Sequence, residues 1–147
     1  MALKQEIASF KSLDDVPPGP MTLEGHDVCV RNSADLLEAM GLPGGLLPLE
    51  DVIDCGFNKD TGLVWSRQKK PSSHFFPRIR RTVSFDTEVR AYVSHGHLRA
   101  VSGVKAKEFL LWVPVGDVTM DGDTTVKFKS YGGISRSFPA DAFARGQ

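Results

Sequence analysis

The residues able to do chemistry are few and poorly grouped. Ser135 and Ser137 alternate around Arg136, and His95 and His97 flank Gly96. A hydrolytic serine needs a base within hydrogen-bond reach and a third group that orients the base. With Asp86 these residues supply the types for an ester hydrolase. No G-x-S-x-G elbow marks a nucleophile, however, and the spacing signals no triad. The two histidines fall short of a zinc site, because neither Cys29 nor Cys55 stands at metal-ligand spacing. "DGD" at Asp121 to Asp123 lacks the further acids of a calcium loop and reads as a hairpin turn. There is no glycine-rich phosphate loop. No catalytic residue, metal or cofactor is assigned.

Binding chemistry is better represented. "RQKKPSSHFFPRIRR", Arg67 to Arg81, holds six Lys or Arg, no acid, two prolines and the adjacent Phe75 and Phe76. It reads as a loop of about ten residues, longer than a hairpin needs. Its cations suit phosphates, and its phenylalanines suit acyl chains or stacked bases. The plain alternative is a solvated loop with both rings tucked back on the sheet. An anionic membrane surface is the preferred partner, with Arg78, Arg80 and Arg81 at the headgroups. Nucleic acid is disfavoured, because no binding motif is present and the net charge is zero.

"VKAKEFLLWVPV", Val104 to Val115, starts as an alternating strand and then runs apolar from Phe109 to Val113. Read as one strand, it carries apolar side chains on both faces, with or without a bulge at Lys107 or Glu108. Leaving such side chains in water forgoes about 1.5–3 kcal/mol each, so something is expected to cover them. Packing helices, with Leu36, Leu37 and Met40 as the lid, are the structural explanation. The functional one is an apolar ligand held in the barrel, with Trp65, Phe109, Leu111 and Trp112 in its wall.

The surrounding elements are mostly strands. Leu3, Ile7 and Phe10 have helical spacing; "DDVPPGPMTLEG" then reads as a linker. Cys29, Leu36, Leu37 and Met40 share one helical stripe that Gly41 and Pro43 end; it starts near Asp27 or is capped later by Asn32 or Ser33. "GLPGGLLPLED" is a connector with buried leucines. From Val52 onward alternation and turns recur. Ile53, Cys55 and Phe57 precede the "NKDTG" turn, and Leu63 and Trp65 follow it. Val83, Phe85, Val89, Ala91 and Val93 form the clearest strand face. "SHGH" turns into Leu98, Ala100, Ser102, Val104 and Ala106. Val126 and Phe128 alternate with lysines, a last strand lies near Ile134 to Phe138, and "PADAFA" suits one helical turn. Strands at hairpin spacing without intervening helices imply an antiparallel β-barrel or sandwich of seven to nine strands, preceded by one or two helices. The organisation is 1–26 as short helix and linker, then 27–147 as a single domain.

At 147 residues, 41% hydrophobic and 24% charged, the composition is that of one soluble domain. The opening "MALKQEIASFK" lacks the apolar core of a secretory signal, so a cytoplasmic protein with two reduced thiols is expected. The charge is segregated: residues 1–60 hold eleven acids and four bases (−7), residues 61–147 seven acids and fourteen bases (+7). Either the halves neutralise each other or the basic one faces an anionic partner.

Four stretches in order, "GLPGGLLPLEDV", "CGFNKDTGLVWSRQKK", "GVKAKEFLLWVPVGDV" and "GGISRSFPADAF", resemble the plant family called domain of unknown function 538, over about Ser33 to Phe143. The resemblance implies a land-plant protein with a helix before a mostly β domain. It brings no agreed reaction and no catalytic residues; lipid binding and hydrolysis have both been proposed for the family. Members often carry lysines where this chain has His95 and His97. The expected function is non-enzymatic binding of an apolar or lipid-like ligand at an anionic membrane surface. A small ester hydrolase and a protein-interaction module without small ligand are the alternatives.

Overall fold

The computed structural model describes residues 12–147, so the expected helix around Leu3, Ile7 and Phe10 lies outside the described residues. The elements are β1 (Pro20–Glu24), α1 (His26–Ala39), β2 (Val52–Asn58), β3 (Leu63–Gln68), β4 (Ser72–Phe76), β5 (Arg81–Ser94), β6 (His97–Glu108), β7 (Leu111–Asp121), β8 (Thr125–Ser130) and β9 (Ser135–Pro139). Short 3₁₀ turns occupy Leu13–Asp15 and Ala140–Phe143. All nine strands are antiparallel in one open sheet, in the order β1-β2-β3-β5-β6-β7-β8-β9. The fold is thus the mainly β class expected, with nine strands among the described residues.

Three stretches fold otherwise than read. Residues 20–24, assigned to a linker, form edge strand β1, with Leu23 buried and paired to Cys55. Residues 72–76, assigned to a loop, form β4 opposite Arg81–Phe85. β5 is long enough to take β4 on its first half and β3, from Glu88 to Tyr92, on its second. Gln68 splices the two partners. Its Nε2 donates to the carbonyls of Phe85 and Asp86 at 3.1 and 3.0 Å, and its Oε1 accepts from Glu50 N–H and Ser72 Oγ at 3.0 and 3.1 Å. Every hydrogen-bonding position of this buried amide is used.

The third correction concerns Val104 to Val115. The run is not one strand. β6 ends at Glu108, Phe109 and Leu110 turn, and β7 begins at Leu111, so Glu108 faces Leu111 and Lys107 faces Trp112. Ala106, Val113 and Val115 then line the same interior space without any two-sided strand. Further along β6 the phase shifts at Ala100 (φ 51) and Gly103 (φ 83), which turns Val101 inward and exposes Ala100 and Ser102. Tyr131 straps this irregular stretch from outside: its ring lies on Gly116 and its hydroxyl donates to the Val101 carbonyl.

α1 takes the longer of the two expected forms. Its buried face, Cys29, Leu36 and Leu37, packs on β1 and β2 inside the curl of the sheet. Gly41 (φ 77) and Leu42 close its C-terminus, and the β5–β6 turn seals it, with Gly96 N–H donating to the Met40 carbonyl at 2.6 Å. The C-terminal segment enters the same space. Phe143 meets Phe76 and Phe128 at ring-centre distances of 4.8 and 5.0 Å. Arg145 clamps Asp35 and Glu38 of α1 at 2.6–2.8 Å.

Candidate functional site

The register sorts the turns into two poles. The β4–β5, β6–β7 and β8–β9 turns lie at one end of the strands; the β2–β3, β5–β6 and β7–β8 turns lie at the other. The first pole carries the exposed apolar surface. Phe109 and Leu110 at the hairpin tip are 92% and 90% exposed, Leu111 70% and Trp112 45%. Phe75, Tyr131 and Ile134 are exposed at or beside the two neighbouring turns. Phe109 has φ 55, a left-handed conformation that a two-residue hairpin turn normally gives to glycine or asparagine.

Cations surround the tip. Lys107 Nζ stands 5.7 Å from the centre of the Trp112 ring, and Lys105 lies on the same outer face of the hairpin. The β4–β5 turn next to it carries Arg78 and Arg80, both exposed; Arg78 pairs with Asp141 at 2.9 Å, and Arg80 has φ 52. Arg81, opposite the end of β6, points to the inside of the curl. There Glu108 is flanked by Arg81 Nε at 3.7 Å and by Arg136 Nε, from β9, at 3.5 Å. Arg81 Nε is buried and has no hydrogen-bond partner among the described residues.

Behind these three side chains the interior is not filled. A cavity of about 80 Å³ is lined by Val83, Val104, Ala106, Val113, Phe128 and Phe138, among others, with Arg81, Glu108 and Arg136 at its mouth. A second, of about 60 Å³, lies under α1 between Leu36, Leu37, Cys55 and Val89. Leu47, Leu98 and Val101 line both and form the wall between them. At ~24 cal/mol per Å³, each empty space costs about 1.5–2 kcal/mol. Both are far below the ~300–1,000 Å³ of an open small-molecule site.

The structure brings Phe109, Leu111 and Trp112 together with Arg80 and Arg81, but as a projecting tip rather than a barrel wall. Trp65 stands apart. It pairs with Arg90, nine residues along β5 from Arg81, which is about 30 Å at ~3.3 Å per residue. Its ring lies over Gly56 on the face opposite Ser66, with the Arg67 guanidinium 6.0 Å away. Arg67 in turn holds Asp54 by two hydrogen bonds of 2.7 and 2.5 Å, which keeps the Asp54 carboxyl below the usual carboxylate range. No sequence pattern singles out Arg136, since its meeting with Glu108 depends on the curl of the sheet.

Of the hydrolase candidates, Ser137 and His97 are not brought together. Ser137 lies beside Lys127, Lys127 beside Thr119 and Thr119 beside His97, so serine and histidine stand three strand spacings apart, about 14 Å. His95 packs against Gly41, and His97 Nε2 stands 3.8 Å from Asp117. Among the described residues no group of three or more His, Cys, Asp or Glu could hold a metal ion. Cys29 and Cys55 are free and buried; the neighbouring Cys29 thiol and burial hold the Cys55 thiol well above its ordinary range.

Residues 33–144 match the family described as "Protein of unknown function, DUF538". The chain belongs to this family. The match includes the hairpin tip, its cations and the cavity behind Arg81 and Arg136, while the cavity under α1 also takes Met21, Leu23 and Asn32 from outside the DUF538 region. No curated protein and no solved structure matches the chain. No helix among the described residues is long and apolar enough to cross a membrane.

Proposed function

We propose that this DUF538 protein is a non-enzymatic lipid-binding module that docks on anionic membrane surfaces through the β6–β7 hairpin tip. The observation that carries the reading is an exposed Phe-Leu-Leu-Trp tip set among Lys105, Lys107, Arg78 and Arg80. Immersing such side chains in the acyl boundary gains roughly 1.5–3 kcal/mol apiece. Each nearby cation adds about 1 kcal/mol at an anionic surface. A tip that only met water would profit from polar turn residues instead. The Pro77–Arg80 turn at the same pole carries further cations, and Phe75 near the end of β4 is exposed, which supports the reading.

Co-sedimentation with vesicles tests the reading. Wild type is expected to pellet with vesicles of zwitterionic lipid mixed with phosphatidylserine and to bind zwitterionic vesicles alone at least tenfold more weakly. Phe109→Ser combined with Leu110→Ser is expected to lower the affinity at least tenfold without loss of fold. Wild type that ignores both kinds of vesicle would refute membrane docking and leave a protein partner as the occupant of the tip.

A further inference from the structure

We infer that the mouth between Arg81 and Arg136 is a binding site for one single-chain anionic amphiphile, its head on the two guanidinium groups and its chain in the apolar cavity behind them. The inference rests on the docking reading for its choice of ligand, because the mouth opens at the pole that would face the bilayer. The site itself is argued from the interior.

Three observations converge. The polar groups of this cavity are gathered at one end, where two arginines face a single carboxylate, and the remainder of the lining is almost wholly apolar. Arg81 Nε is buried without a hydrogen-bond partner and stands too far from Glu108, at 3.7 Å, to donate to it well. Arg136 Nε, at 3.5 Å from the same carboxylate, is also long for a hydrogen bond, on a side chain that is exposed and whose other nitrogen donates to the Ser135 carbonyl at 2.9 Å. The mouth thus holds two donors incompletely used by Glu108, which an incoming carboxylate or phosphate could engage at hydrogen-bond distance. Behind them the second cavity continues the line of the first, with Leu47, Leu98 and Val101 between. Leu47 belongs to the connector after α1, which includes Gly44 and Gly45, rather than to a strand. Its displacement would join two spaces of about 80 and 60 Å³ into one apolar space, which a chain entering from the mouth would have to widen further.

Glu108 is the internal competitor in this arrangement. The head enters between the two guanidinium groups by displacing the carboxylate toward solvent. Removing its charge should therefore tighten binding, while removing either arginine should weaken it. Ala106 lines the same cavity from β6 and has only a methyl group to fill it. Ala106→Leu places three more carbons in that space and should block the chain while leaving the fold intact.

The test uses monomeric probes without vesicles: decanoate, decyl phosphate and decanol, each below its micelle concentration, titrated calorimetrically into the whole chain. Saturable binding of decanoate, decyl phosphate or both at one per chain, at least tenfold tighter than decanol, is expected; the preferred head distinguishes a fatty carboxylate from a phosphate-headed lipid. Affinity should fall at least tenfold in Arg81→Gln with Arg136→Gln and in Ala106→Leu, and should rise in Glu108→Gln. The tip variant Phe109→Ser with Leu110→Ser should bind the probes as wild type does. The inference is overturned if neither charged probe saturates, or if Ala106→Leu binds normally while the tip variant does not. Vesicle binding by a wild type that takes neither probe would remove this site and leave membrane docking standing; probe binding without vesicle binding would do the reverse.

Discussion

A phenylalanine held at φ 55 with almost all its surface in water is unfavourable in two ways. The left-handed backbone costs an L-residue roughly 1–2 kcal/mol, and the exposed ring forgoes the burial that would repay a large side chain. Leu110 and Leu111 repeat the second penalty. Strain that the surrounding fold imposes on an exposed residue points to a use for that side chain outside the fold. Phe109→Gly separates the two effects. It removes the Cβ that makes φ 55 costly, so the unfolding free energy in urea is expected to hold or rise by about 1 kcal/mol. It also removes the ring, so affinity for phosphatidylserine-containing vesicles is expected to fall severalfold. Stability and vesicle affinity falling together would mean that Phe109 serves the hairpin rather than the surface it touches.

At the scale of elements, β5 is central because it pairs with β3, β4 and β6, and Gln68 is the joint where the first two meet. Gln68→Leu conserves volume but leaves the carbonyls of Phe85 and Asp86 and the Glu50 N–H without their partner. The buried Phe85 carbonyl abandoned in this way costs about 1–3 kcal/mol, while the part-buried Asp86 carbonyl and Glu50 N–H can turn to water. A loss of about 1–3 kcal/mol is therefore expected, read as a lower urea midpoint at unchanged slope. What the sequence allowed at this scale follows from its signals. β5 and β8 alternate without interruption, and α1 has a stripe ended by Gly41 and Pro43; all three were legible. β1 and β4 were not, because Pro17, Pro18 and Pro20 precede or open one and Pro71 and Pro77 bracket the other, and proline reads as loop until an edge position explains it. The hairpin at Phe109 was hidden for the opposite reason: its turn contains none of the Gly, Asn or Asp that usually marks one. The cations of the site were legible as the run from Arg67 to Arg81. Their meeting with Glu108 and Arg136 was not, since pairing across a curled sheet leaves no local pattern.

Over the whole molecule, a net charge of zero is distributed between two poles of different character. The tip pole joins Lys105, Lys107, Arg78 and Arg80 to the exposed apolar groups, while the opposite pole presents Asp60, Asp121 and Asp123 in its turns. A neutral molecule has no general attraction to an anionic surface, so any attraction must come from orientation. Two variants with the same change in net charge make this measurable. Lys105→Gln with Lys107→Gln removes two charges beside the tip; Arg99→Gln with Lys127→Gln removes two nearer the far pole. The first pair is expected to lower affinity for phosphatidylserine-containing vesicles about tenfold at 50 mM salt, and the second by less than twofold. The gap should narrow in 500 mM salt, where the screening length falls to about 4 Å and surface charges lose most of their reach. The residual affinity at high salt then belongs to Phe109, Leu110, Leu111 and Trp112. Equal losses from both pairs would mean that net charge governs the attraction, and the tip would no longer define which end of the molecule meets the membrane.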